Sequence, residues 1–284
     1  MSVLKTVLLS HAKTPHLIFR NIAWRLPKTV SDKRIVFVVG APRSGTTLLQ
    51  TVLAAHSKLF SIERETSIFS ARNYFSRNHL TLSQADNKAL FKNSCDIIDF
   101  FTKGVSKLEE QMGGGVFVEK TPQHVKHISF LIKHFPNARF IHIVRDGRDC
   151  YCSSLVHPYI PQRSSVERFA AYWKKCLFTV KNLMSHPQVF TLTYENFTGN
   201  PNKYLEKLMQ FLDLEAESTQ LNSSLTFQDN RSQSQQFKRL KEPISNNTAG
   251  RWKKELSAEE VLKFENIAGE ELAHYGYPVG EIRE

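Results

Sequence analysis

Residues 35–49, IVFVVGAPRSGTTLL, carry an apolar run of five residues straight into a loop with glycines at 40 and 45. An unbroken Ile-Val-Phe-Val-Val segment suits a strand buried on both faces, as in a parallel sheet. The G-x-x-x-x-G spacing after it suits a turn whose backbone N–H groups cradle a phosphate where a helix begins. A nucleotide kinase or ATPase places Lys and then Ser or Thr directly after the second glycine. Here Thr46 and Thr47 occupy those positions. The strand, loop and helix of a phosphate site are present, but the lysine that reaches β- and γ-phosphates is missing. The loop is therefore read as holding phosphate without transferring a γ-phosphoryl group.

Outward from this loop, further apolar segments read as strands: Arg34–Val39 itself, then Val116–Glu119, Arg139–Val144 and Val189–Thr193, with Phe60–Ile62 as a short fifth. Between them lie stretches of helical period, near Gly45–Ala55, Ser83–Met112, Gln123–His134, Asp149–Leu155, Val166–Ser185 and Pro201–Leu212. Alternating strands and helices imply crossover connections. The expected fold is α/β: a P-loop-like, three-layer arrangement with a mainly parallel sheet of about five strands flanked by helices. Residues 222–250 are polar and lack period, as a long loop would. Ser257 and Glu260 form a capping box opening a helix to Tyr275. Residues 1–33 read as a basic, amphipathic segment and 34–284 as a single domain.

The chain has 284 residues, with 38 Lys+Arg against 27 Asp+Glu. That balance calls for an anionic partner. No zinc-finger or helix-turn-helix signature supports nucleic acid. The apolar stretch Val3–Leu9 is short and lacks a small-residue cleavage site, so a secretory signal is not expected. No run of eighteen apolar residues suits a membrane span. His16–Leu26 reads as a helix packed on the domain, with peripheral membrane contact as the alternative. The cysteines at 95, 150, 152 and 176 have no zinc-ligand spacing. Reduced thiols in a cytoplasmic chain, peripheral to membrane at most, are the expectation.

A second anion motif lies at Ile141–Leu155, IHIVRDGRDCYCSSL. A strand ending at Val144 would place Arg145 at the turn and Ser153 on the following helix. Guanidinium and hydroxyl can then reach one phosphate above the strand's carboxyl end. Asp146 and Asp149 read as a helix cap and a partner for Arg148. Arg43, within the first loop, supplies a planar cation suited to phosphate oxygens, and the hydroxyls of Ser44, Thr46 and Thr47 add donors.

P-R-S-G-T-T followed by V-R-D-G-R-D-x-x-x-S resembles the sulfotransferases that use 3′-phosphoadenosine 5′-phosphosulfate (PAPS). The resemblance runs on through Glu119-Lys120-Thr121-Pro122, Thr193–Phe197, Gly250-Arg251-Trp252 and Leu272–Tyr277. It is closest to the bacterial and Golgi-type branch that includes tyrosylprotein sulfotransferases. It implies transfer of a sulfuryl group from PAPS, as co-substrate and without a metal, to a hydroxyl or amine acceptor. Carbohydrate, tyrosine peptide, lipid and small molecule all qualify. By resemblance, Arg43, Ser44, Gly45, Thr46 and Thr47 hold the 5′-phosphosulfate, Arg145 and Ser153 the 3′-phosphate. Tyr194 and Arg251 are further nucleotide contacts, and Trp252 either stacks or packs. Lys120 becomes the electrophilic partner of the transferring group. Glu65 is the expected base, with Glu63 and His124 as rivals. A serine of the later nucleotide site remains open among Ser232, Ser234 and Ser245. Two other readings stay in view: a P-loop phosphotransferase, and a non-catalytic nucleotide- or polyanion-binding module.

Overall fold

The computed structural model describes residues 15–157, 160–222 and 242–280. Its five strands are β1 Ile35–Gly40, β2 Leu59–Ser61, β3 Val116–Lys120, β4 Arg139–Val144 and β5 Val189–Thr193. They form one sheet in the order β2-β3-β1-β4-β5, and every pairing is parallel. All six residues of β1 are buried. That is why its sequence is unbroken rather than alternating. Phe37 lies in register with Glu119 of β3 and Phe140 of β4.

Successive β1 side chains leave on opposite faces. Ile35, Phe37 and Val39 join Phe101, Phe117, Phe135 and Phe140 in one core, while Val36 and Val38 join Leu49, Val118, Ile141 and Leu208 in the other. Phe37 stacks on Phe140 with ring centroids 5.1 Å apart and planes 8° from parallel. Such a pair adds about 0.5–1.5 kcal/mol beyond the area it buries.

The helices are α1 Ile18–Trp24, α2 Thr46–Ala54, α3 Gln84–Asn93, α4 Ile97–Gln111, α5 Ile128–His134, α6 Gly147–Leu155, α7 Val166–Lys181, α8 Tyr194–Gly199, α9 Pro201–Phe211, α10 Trp252–Glu255 and α11 Ala258–His274. Helices α2 and α9 cover the Val36 face, and α4, α7 and α11 the Phe37 face. The result is the three-layer α/β fold. The capping box of Ser257 and Glu260 forms as the sequence suggests.

Three helical stretches differ from their sequence reading. Ser83–Met112 is two helices, because Asp96 breaks it: one carboxylate oxygen caps α4 at the N–H groups of Ile98 and Asp99, and the other binds Lys28 N, Thr29 N and Thr29 Oγ1. Gln123–His134 begins as a 3₁₀ turn over Pro122–His127 before α5. The short helix α8 escaped the periodicity reading; Thr193 caps it through Asn196 N at 3.2 Å, and Pro201 opens the next helix.

Helix α1 packs on the domain through Trp24, which is 2% exposed and meets Phe75, Phe100 and Phe91 at 4.9–5.9 Å. Asn21 seals the contact with bonds to Arg72 O and Tyr74 N. Among the described residues no helix is long and apolar enough to cross a membrane. Val3–Leu9, Ser232 and Ser234 lie outside the described residues.

Two buried histidines set a pH dependence. Burial pushes His142, in the middle of β4, down to about 3, and His79 down to about 4. Both folded values lie below the unfolded value near 6.5, so each ring stays neutral in the native chain and takes up a proton on unfolding. Their contribution is complete above about pH 6.5. It is lost as pH falls, at up to about 1.4 kcal/mol per pH unit for each ring. Urea unfolding at about pH 7.5 and about pH 5 should show this loss, and His142→Leu should flatten it. An unchanged pH dependence in that variant would remove His142 from the account.

Candidate active site

The connection from β1 runs to β2 on one side of the sheet and that from β4 runs to β5 on the other, so the connections diverge at the carboxyl ends of the neighbouring strands β1 and β4. Open α/β sheets bind ligands at such a switch point. A cleft of about 590 Å³ lies there, lined by Arg43, Gly45, Thr46, Thr47, Glu65, Arg145, Ser153, Tyr194 and Arg251 among others.

The loop after β1 is built tightly. A Cβ at Gly40 would sit 2.4 Å from Ile143 O and 2.8 Å from Ser44 Oγ. Gly45 has φ 100°, and a Cβ there would meet the Tyr194 ring at 2.5 Å. Arg43 also adopts a left-handed φ of 70°, a conformation that costs a non-glycine residue free energy. Gly45 precedes α2 with no side-chain cap. The first-turn N–H groups of that helix therefore face the cleft with the positive end of its dipole. One expectation is corrected: the Ser44 hydroxyl does not reach the cleft. It is fully buried and donates to Ala41 O at 2.7 Å, closing the turn from within.

Three arginines converge on the cleft. Arg43 Nε donates to Ser153 Oγ at 3.0 Å. Burial, and then the neighbouring guanidiniums of Arg145 and Arg251, depress the Arg43 pKa against the raising influence of Cys150 and Glu65. Arg145 is 5% exposed; its Nη2 donates to Thr248 O at 2.7 Å, and its Nη1 lies 3.5 Å from Arg43 O. Its guanidinium stacks over Tyr194 at 4.4 Å, and the Tyr194 hydroxyl meets Thr248 Oγ1 at 2.9 Å. Arg145 Nε is buried without a partner among the described residues. A buried unpaired donor beside a cluster of like charges fits an anion such as a phosphate. The guanidinium of Arg251 forks onto Glu255 with two contacts of 2.8 Å.

The supports of this cluster are the acidic residues of the second motif. Asp146 caps α6 and forks onto Arg148, which also pairs with Glu265. Asp149 holds the Gly250-Arg251-Trp252 turn by accepting from Gly250 N and Trp252 N at 2.7 and 2.9 Å. Trp252 is 3% exposed and lies under Arg148 at 3.7 Å, so it packs rather than stacks on a ligand in the cleft.

Glu65, on the cleft wall, accepts from Lys120 Nζ at Oε1 at 2.9 Å; Lys120 itself does not line the cleft. The ammonium comes from the end of β3 and is nearly buried; the carboxylate is half-exposed toward the cleft. Glu63 is exposed and does not line the cleft. His124 is fully buried, with Nδ1 2.9 Å from Glu119 and Nε2 accepting from Phe69 N at 3.2 Å. Both ring nitrogens are engaged, which removes it as a base.

Sequence reasoning missed Thr248, which links Arg145 to Tyr194, and Glu242, Ile244 and Asn247 beside it on the cleft wall. The one sequence signal was their place in an aperiodic segment just before Gly250-Arg251-Trp252. Ser245 lines the same wall.

Fold and site define an α/β protein with a cluster of arginines lining a cleft at the carboxyl end of its parallel sheet, and a carboxylate–lysine pair beside it. The model described as "Sulfotransferase family" matches residues 36–218, and the chain belongs to that family. It is similar to protein-tyrosine sulfotransferase 1 of Danio rerio, 26% identical over 198 residues, which are 64% of this chain and 54% of that protein. It is also similar to the protein-tyrosine sulfotransferase of Drosophila melanogaster, 27% identical over 63% of this chain and 38% of that protein. The chain thus spans about half the length, or less, of these curated relatives. Among solved structures, the sulfotransferase domain of the Synechococcus PCC 7002 olefin synthase shares the fold, with TM-score 0.66, 21% identity, and coverage of 90% of this chain and 99% of that one. So does a mouse sulfotransferase complexed with PAP, with TM-score 0.56, 14% identity and 89% of each chain covered.

Proposed function

We propose that the chain transfers the sulfuryl group of PAPS to a hydroxyl or amine acceptor, releasing adenosine 3′,5′-bisphosphate. The observation that carries this reading is one cleft lined by Arg43, Arg145, Ser153, the uncapped start of α2 and Glu65, with the nearly buried Lys120 paired to Glu65 behind its wall. The arginines and helix N–H groups suit the donor's phosphates. Lys120 suits the negative charge that builds on the sulfuryl group and its leaving phosphate. Glu65 suits the acceptor's proton. In the step, the acceptor atom forms its bond to sulfur as the bond from sulfur to the bridging phosphate oxygen breaks. The phosphate departs with the electron pair, and the acceptor's proton passes to Glu65.

The PAP named in the mouse structure supports this donor, and the named tyrosine specificity of the curated relatives supports a phenolic hydroxyl among the acceptors to test. Thr46, where a phosphotransferase has lysine, weighs against γ-phosphoryl transfer. Calorimetric titration separates the readings: adenosine 3′,5′-bisphosphate should bind more tightly than ATP, with no gain from Mg²⁺. Preference for ATP with Mg²⁺ would make the chain a phosphotransferase. Indifference to the 3′-phosphate would make it a general polyanion binder. Radiolabelled PAPS offered with pooled phenols, oligosaccharides and hydroxylated lipids then identifies the acceptor class.

A further inference from the structure

Glu119 is fully buried at the end of β3, yet it carries a carboxylate and does not face the cleft. Its Oε1 accepts from Thr66 Oγ1 at 2.7 Å and from Thr121 Oγ1 at 2.6 Å, and its Oε2 from His124 Nδ1 at 2.9 Å. Phe69 N donates to His124 Nε2, which fixes the neutral tautomer with the proton on Nδ1, aimed at Glu119. Burial alone would raise this carboxyl; the three hydrogen bonds it accepts favour its charged form. A buried carboxylate is costly even when every oxygen is satisfied, and apolar packing would serve stability as well. Something other than stability explains its place.

The pattern of the contacts supplies the reason. Three successive residues of the loop after β2 are each tied to one of the three residues at the end of β3, though not in step: Glu65 to Lys120, Thr66 to Glu119, and Ser67 N to Thr121 Oγ1 at 3.0 Å. Glu119 and Lys120 project to opposite faces of the strand. The loop is thus gripped on one face so that its preceding carboxylate lies against the ammonium on the other. Arg77 Nη2 adds a grip on the carbonyls of Glu65 and Thr66, at 3.1 and 2.6 Å.

We infer that Glu119 is a positioning residue which, through Thr66 and with His124 and Thr121 completing its shell, sets Glu65 in register with Lys120 and the cleft. The inference rests on the sulfuryl-transfer reading for Glu65. Glu119 touches no substrate; it acts through the loop. Misplacing a reacting group by about 1 Å can cost on the order of 10²-fold in rate.

The test cuts the tie at Thr66 and leaves the buried carboxylate its other two donors. Turnover with radiolabelled PAPS and the phenol pool should fall about 10–100-fold in Thr66→Val, with affinity for adenosine 3′,5′-bisphosphate unchanged. Thr66→Ser keeps the hydroxyl and should recover most of the rate. Adding Thr66→Val to Glu65→Ala should slow the enzyme no further, because the lost positioning has nothing left to position. Further slowing in the double variant, or no loss in Thr66→Val, overturns the inference. Hydrogen exchange in the protein bound to adenosine 3′,5′-bisphosphate gives a readout independent of transfer. The amides of Ser67 and Phe69 should exchange faster in Thr66→Val and remain protected in Thr66→Ser; protection retained in both overturns the inference too. Failure of the wild type to transfer sulfuryl to any pool, with these amide shifts intact, would count against the catalytic reading and leave the tie itself established.

Discussion

Glu65→Ala is expected to lower turnover by about 10²–10⁴-fold, the range of a lost general base, without loss of affinity for adenosine 3′,5′-bisphosphate. The geometry explains the split. Glu65 stands on the loop after β2, half-exposed to the cleft, while the arginines proposed to meet the donor stand just after β1 and β4. Removing the carboxylate takes the proton acceptor away and leaves those arginines in place. It also leaves the nearly buried Lys120 ammonium without the partner it has at 2.9 Å, a state that an incoming phosphosulfate would relieve. Glu65→Gln keeps the volume and an acceptor for Lys120, so it separates base loss from local collapse: turnover should fall while thermal unfolding moves little. Near-normal turnover in both variants would dismiss Glu65. It would not promote its rivals, since Glu63 lies outside the cleft and both nitrogens of His124 are engaged.

Arg145→Ala should weaken binding of adenosine 3′,5′-bisphosphate by about 1.5–3 kcal/mol, the scale of a charge-assisted hydrogen bond, or about 10–150-fold in Kd. The same substitution should change binding of adenosine 5′-monophosphate, which lacks the 3′-phosphate, far less. The difference between the two ligands isolates the 3′ contact from general loosening of the site. It matters here because Arg145 also holds Thr248 O and stacks on Tyr194. Arg145→Lys keeps the charge but not the planar fork, and should fall between. Equal losses for both ligands would move the 3′-phosphate away from Arg145. Arg43 would then be the next residue to test, since its Nε donates to Ser153 Oγ.

The strands were legible because burial on both faces writes itself into composition. β1, β3, β4 and β5 appear as apolar runs, and the short β2 follows from Phe60 beside them. The loop residues Arg43, Gly45, Thr46 and Thr47 were legible for another reason: a strand, a left-handed glycine and a helix start restrict the backbone locally, so spacing alone points to an anion site. Arg145 and Ser153 follow the same logic, the first standing at the turn before α6 and the second within that helix. Local rules failed where a long-range partner decided the outcome. Asp96 divides a helix because the N-terminal segment needs its second oxygen. Ser44 is a different case: its hydroxyl turns inward onto Ala41 O, three residues back, a local bond that the phosphate-loop spacing does not announce.

Legible from the chain alone are the segments with one stable local form: the order of strands and helices, and the two turns that carry N–H groups and guanidiniums. Tertiary structure alone decided which carboxylate meets Lys120, that Thr248 joins Arg145 to Tyr194, and that Glu119 grips the loop beside Glu65. Those contacts join residues 53 to 103 positions apart. Their geometry is set by how the sheet orders its strands, and no local periodicity records a distance across a fold.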